Sequence, residues 1–184
     1  MRNRFAKGIT IIIMLTVLAS CAFAQSYTTF AESSNLGGKP IPAKSVLWIL
    51  SDLNSFMWNR TIETSIKEQF DKKGIKTILT TDYIDICELQ EGEFPKVLDL
   101  FYESKADFML TINLENMGTY LTDGIKNFTT KVSMYNYATM EIPLKVEMYT
   151  ESDKNDYLSL NATRKPAISS MAEALVNEYI KYVK

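Results

Sequence analysis

The chain has 184 residues, 46% of them apolar, and its 20 Lys+Arg against 22 Asp+Glu leave a net charge of -2. Without a basic excess there is little to neutralise phosphate, which argues against nucleic acid as a partner. There is no histidine, and that removes Ser-His-Asp and Cys-His catalysis together with histidine-based metal sites.

The N-terminus reads as an export signal. Arg2, Arg4 and Lys7 precede an apolar run from Ile9 to Leu18. Roughly ten residues are too few to span a bilayer and suit a signal h-region. Two cleavage sites compete. Ala22-Phe23-Ala24 before Gln25 fits ordinary signal peptidase, which would leave a soluble secreted or periplasmic protein. Leu18-Ala19-Ser20-Cys21 resembles the bacterial lipobox, in which the cysteine is lipidated, and is the preferred reading. It divides the chain into a signal peptide (1–20), a lipid anchor and flexible tether (21–44) and one domain (45–184). Loss of the signal leaves 17 Lys+Arg against 22 Asp+Glu, a net charge of -5. Cys87 then has no disulfide partner and reads as a small buried hydrophobe.

Residues 22–44 are rich in Ser, Thr, Gly and Pro and show no apolar periodicity. As a free coil of about 22 residues they would reach roughly 25 Å. Val46-Leu47-Trp48-Ile49-Leu50 is apolar on both faces and predicts a central strand. Asp52, Asn54 and Ser55 offer caps for a helix whose stripe is Trp58, Ile62, Ile66 and Phe70, stopped by Gly74. Ile75 to Thr81 predicts a second strand, parallel to the first. The intervening turn has no glycine-rich phosphate loop, so no nucleotide cofactor is expected.

Asp82, Asp85, Glu88, Glu91 and Glu93 form an acidic stretch without calcium-loop spacing. It could supply carboxylates for an enzyme, but reads as a solvated connector; no metal and no catalytic residue are expected. Pro95 opens a helix striped by Phe94, Val97, Leu98 and Phe101. A strand from Asp107 to Leu114 follows. A three-residue loop Thr122-Asp123-Gly124 would pair Leu114 with Val132 and Ile112 with Met134. The next reversal, near Asn136–Glu141, pairs Met134 with Leu144, Val132 with Val146 and Lys131 with Glu147. The other face of this meander carries Lys131, Ser133, Tyr135, Lys145, Glu147 and Tyr149, a composition suited to binding a partner. Tyr157–Ala162 reads as an edge strand, and a last helix starts near Pro166.

The predicted order is β-α-β-α-β-β-β-α: an α/β chain of α+β character, a central mixed sheet with a C-terminal antiparallel meander and helices packed on it. Three stretches extend this. Val46–Leu50 looks like the opening strand of a group of bacterial envelope lipoproteins that includes the curli-secretion lipoprotein and the lipoprotein activators of penicillin-binding proteins. Lys105-Ala106-Asp107-Phe108-Met109-Leu110 resembles the group's start of the third strand, and Val132–Thr139 its strand ending in an Asp/Asn-x-x-Thr turn. Asn113 and Met140 depart from it, standing where glycines are common. The resemblance implies a non-enzymatic accessory domain that faces the periplasm, is held by a lipid on Cys21, and binds another envelope protein. Ala22 is not the Asp that retains many lipoproteins at the inner membrane, which favours the outer one. The alternative is a carrier or chaperone for a lipid or other small apolar ligand, using Met134, Met140 and Met148.

Overall fold

The computed structural model describes residues 26–51, 58–84, 94–119, 125–152 and 160–184, residues 119 and 160–164 by their backbone. Strands are β1 (Tyr27–Ser34), β2 (Leu47–Ser51), β3 (Thr77–Leu79), β4 (Phe108–Thr119), β5 (Ile125–Asn136) and β6 (Glu141–Ser152). Helices are α1 (Asn59–Asp71), α2 (Phe94–Ser104) and α3 (Leu160–Ile180), and a single 3-10 turn (Thr80–Asp82) follows β3. They build one mixed sheet in the order β1-β6-β5-β4-β2-β3. The expected fold class holds.

β2 is buried along its whole length and pairs in parallel with both β3 and β4. That position dictates where the helices go. The chain leaves β2 through α1 to reach β3, then crosses back over β2 through α2 to reach β4. Two right-handed crossovers in opposite directions must lie on opposite faces of the sheet. Accordingly Ile62, Ile66 and Phe70 of α1 join one core, and Val97 and Phe101 of α2 join a second core with Trp48, Leu50 and Met109. α3 packs beside α1 on the first face, through Ile168, Met171, Leu175 and Tyr179. Among the described residues the second face therefore has only the short α2, which covers β2 and the start of β4. The β5–β6–β1 half of that face has no helix over it among the described residues.

Asp107 explains one motif. Its carboxylate accepts the Val46 N–H at 2.7 Å and its own N–H donates to the Val46 carbonyl at 2.9 Å, latching β4 to β2. Asn136 explains another: its side-chain oxygen accepts the N–H groups of Ala138 (3.0 Å) and Thr139 (3.2 Å), closing the β5–β6 turn. Met140, in that turn, has φ +55° and is 81% exposed, a conformation glycine adopts without strain. Met140→Gly should therefore stabilise the fold by about 0.5–1 kcal/mol in urea unfolding, strain relief exceeding the entropy lost.

Four expectations are corrected. Residues 27–34, assigned to the tether, form β1, which pairs antiparallel with β6 from Tyr27↔Ser152 to Ser34↔Lys145. Its helix-facing side chains are small or polar, and they bind α3 and the turn after it by hydrogen bonds: Thr29 to Ser170 at 2.9 Å, Ser33 to Glu178 at 2.6 Å and to Tyr182 at 2.9 Å. Ile41 and Ala43 are also tied to the C-terminus, by hydrogen bonds to Tyr182 and Lys184. The β4–β5 register is shifted by two, pairing Ile112 with Val132 and Leu114 with Thr130. The strands run on to Thr119 and Ile125 through irregularities around Gly118, which the shorter loop did not allow for. The second predicted strand is shorter: pairing stops at Leu79, and Thr80 turns to bond Trp48 Nε1 and the Ile49 carbonyl, each at 2.7 Å. Finally, Leu160–Ala162 are helical, and Pro166 stands inside α3 rather than at its start. The β5–β6 register is as predicted, including Lys131↔Glu147.

Candidate docking surface

The bare half of the second face gathers the meander residues singled out by sequence. Lys131 and Tyr135 come from β5, Lys145, Glu147 and Tyr149 from β6, all at positions whose side chains alternate away from the helix-covered core. The cross-strand rows are Phe30–Tyr149–Thr129–Glu115, Glu32–Glu147–Lys131–Asn113 and Ser34–Lys145–Ser133–Thr111. Two open hollows lie on it, one between Glu32, Lys131, Lys145 and Glu147, the other beside Phe30 and Tyr149.

Sequence reasoning missed the β1 contribution, Phe30 and Glu32. Phe30 is 59% exposed beside Tyr149, itself 40% exposed. The alternation Thr28, Phe30, Glu32 was the available signal. Reasoning also missed the ion partner of Lys131. Glu147 stands opposite it, but the ammonium lies 2.8 Å from Glu115. The hydrogen bond and charge of Glu115 hold Lys131 above the usual lysine range, with Glu147 adding to them. Both ends of the pair are about half exposed and screened by water, so Lys131→Gln should leave the urea-unfolding midpoint essentially at the wild-type value.

Glu32 and Glu147 are directly opposed across β1 and β6, and both are exposed. Like charges so placed oppose each other, and Lys131 and Lys145 in the same hollow offset part of that, leaving room for a further cation. At the α2 end the surface becomes aromatic. Tyr135 stacks on Tyr137 at 5.9 Å, and Tyr137 meets Phe101 at 5.5 Å and Tyr102 at 6.5 Å. Burial, with Tyr135 and Tyr102 adding, pushes the Tyr137 phenol up.

Other sequence candidates are not brought together. Met134 and Met148 are buried under the helices while Met140 stands in the turn, so the three share no cavity. Asp82 is exposed at the end of the 3-10 turn; Asp85, Glu88, Glu91, Glu93, Cys21, Cys87, the loop 122–124, the caps Asp52, Asn54 and Ser55, and residues 157–159 lie outside the described residues. Among the described residues no three Cys, Asp or Glu are placed to hold a metal, and no helix is long and apolar enough to cross a membrane.

The fold and this surface define a class: an open mixed α+β sheet, helix-covered on one face and, among the described residues, half bare on the other, with a polar and aromatic patch on the bare part. That fold is shared with PelC from Paraburkholderia phytofirmans. A crystal structure of its dodecamer matches with a TM-score of 0.50 at 10% identity, covering 85% of this chain and 99% of that one. A dodecamer of a single-residue variant gives 0.51 at 8%, covering 80% and 98%. Lipoprotein GNA1162 from Neisseria meningitidis gives 0.44 at 14%, covering 75% and 99%, too low a score to carry an argument. No family model and no curated protein matches the chain. At these identities the likeness establishes a common fold.

Proposed function

We propose that this is a non-enzymatic bacterial envelope lipoprotein. The lipid is on Cys21, and the domain faces the periplasm, from the outer membrane in preference to the inner. It acts as an accessory or assembly factor by docking on another envelope protein. The observation that carries the reading is the bare β5–β6–β1 face. A soluble domain gains nothing in stability from Phe30 and Tyr149 in water, or from Glu32 set against Glu147. A partner that places a basic side chain between the carboxylates, and apolar atoms on the rings, removes both costs. Tyrosine with mixed charge at a patch rim is the composition of protein–protein contacts.

β1 changes the geometry of anchoring. Only residues 22–26 separate Cys21 from Tyr27, so the two lie at most about 22 Å apart when that stretch is extended. The domain is thus held against its membrane rather than ranging from it, and the partner is a membrane protein or sits at the membrane surface. Apolar-ligand carriage finds less support, since the three methionines do not line one cavity.

The test is chemical crosslinking in native membranes. Wild type should yield one specific crosslinked protein, and Lys131→Glu combined with Tyr149→Ala should lose it while retaining the wild-type circular dichroism spectrum and a cooperative unfolding transition. Equal crosslinking by the double variant would remove this face as the docking surface.

A further inference from the structure

The two edges of the sheet differ. β3 closes one with three residues, and β1 closes the other with eight. An edge strand offers unpaired N–H and C=O groups to any other strand, and proteins blunt it with shortness, proline, lysine or a bulge. β3 is short. β1, Tyr-Thr-Thr-Phe-Ala-Glu-Ser-Ser, has no proline, no lysine and no break in its register with β6. Among the described residues, no backbone hydrogen bond outside that ladder reaches Thr28 to Ser34. The carbonyls near its ends, Tyr27 and Ser33, accept hydroxyls from Ser170 and Tyr182, each at 3.3 Å. Between them, the edge from Thr28 to Glu32 is open among the described residues.

We propose that this edge pairs with the same edge of a second copy, antiparallel about a two-fold axis, joining two sheets into one. The sequence of β1 suits a copy of itself. Opposed residues of an antiparallel pair share a face, so the bare-face residues Thr28, Phe30, Glu32 and Ser34 must meet one another. Centred on Phe30, the register sets Phe30 on Phe30, Thr28 on Glu32 and Thr29 on Ala31. The most exposed ring of the strand is then flanked by its own equivalent, while its outer face stays on the docking surface. Glu32, the only charge in β1, meets a threonine hydroxyl instead of another carboxylate. A register with Glu32 on Glu32 would add a third acid to the Glu32–Glu147 pair and is disfavoured.

The helix side leaves room. Ser170, whose hydroxyl bonds Thr29, and Ala174 one turn on are small residues on the flank of α3 above β1. On the bare side the row Tyr149–Phe30 runs into Phe30–Tyr149 of the second copy, so the two candidate docking surfaces become one continuous surface. Two lipid anchors then hold one unit at the membrane, a consequence resting on the lipidation reading; the pairing itself does not.

The test uses the full chain in its membrane, carrying Cys87→Ser. Phe30→Cys should give a disulfide-linked homodimer on treatment with copper phenanthroline. Ser34→Cys on the same strand and face should not, because the equivalent residues lie about 26 Å apart in this register. Phe30→Lys, which places two lysines on each other, should shift the detergent-solubilised protein from dimer to monomer in sedimentation. Its unfolding midpoint as a monomer should match that of diluted wild type. No excess of homodimer from Phe30→Cys over Ser34→Cys, or a Phe30→Lys protein that stays dimeric, overturns the proposal. A Phe30→Cys adduct to a different protein also overturns it, and gives the edge to a strand of that protein.

Discussion

Glu63→Ala should destabilise the domain by about 3–5 kcal/mol in urea unfolding, because it strips buried backbone donors of their acceptor. Glu63 belongs to α1 and is fully buried. One carboxylate oxygen accepts the N–H and hydroxyl of Ser51, both at 3.2 Å. The other accepts the N–H of Thr81 at 2.9 Å and its hydroxyl at 2.8 Å. Ser51 ends β2 and Thr81 follows β3, so one side chain ties the C-terminal ends of two parallel strands to the helix that joins them. Alanine leaves two backbone N–H groups facing a void. Glu63→Gln keeps the shape but offers one oxygen where two N–H groups converge, and should cost about 1–3 kcal/mol.

The pH dependence reads the burial of this carboxyl. Burial pushes the Glu63 carboxyl above its ordinary 4.5, outweighing the hydrogen bonds from Thr81 and Ser51 that pull it down. A raised folded pKa means that the folded state favours the proton. The stability Glu63 contributes is therefore full below 4.5 and is lost as pH rises through the folded pKa. The gap between wild type and Glu63→Gln should narrow with rising pH across that window and then level off. A gap that stays constant from about pH 4 to 8 contradicts the raised pKa, and an alanine variant within about 1 kcal/mol of wild type contradicts the clamp.

The second large effect concerns location. Cys21→Ser should move the protein from membranes to the soluble envelope fraction almost completely. The variant keeps Ala22-Phe23-Ala24, so ordinary signal peptidase can cut before Gln25. That cut leaves β1, which starts at Tyr27, intact. One acyl chain binds a bilayer only marginally, whereas the two chains of a diacylglyceryl group hold firmly. Fractionation followed by immunoblotting reads the result. A variant that stays in the pellet as wild type does would mean that something other than Cys21 holds it.

What could be read from sequence followed from how far each signal was local. β2 was legible because a run apolar on both faces has one place in a sheet. α1 was legible from Ile62, Ile66 and Phe70, and the β5–β6 register from Lys131 and Glu147, which only one alignment brings together. The face bearing Lys131, Lys145, Glu147 and Tyr149 was legible because alternation fixes sides even where register slips by two, as it did between β4 and β5. β1 was hidden because its inner face holds by hydroxyls: Thr29 and Ser33 look like loop residues until Ser170, Glu178 and Tyr182 are beside them. Glu63 was hidden for the same reason. In sequence it is one more acidic residue in an amphipathic helix, and its partners are 12 and 18 residues away.

Anchoring is the claim on which the functional account depends, and mass spectrometry of the mature N-terminal peptide from membrane-derived protein addresses it directly. A first residue of Cys21 carrying a diacylglyceryl group, with or without an N-acyl chain, is the predicted result. A free N-terminus at Gln25 would contradict it, leaving a soluble exported domain whose bare sheet face must find its partner without a membrane to hold it there.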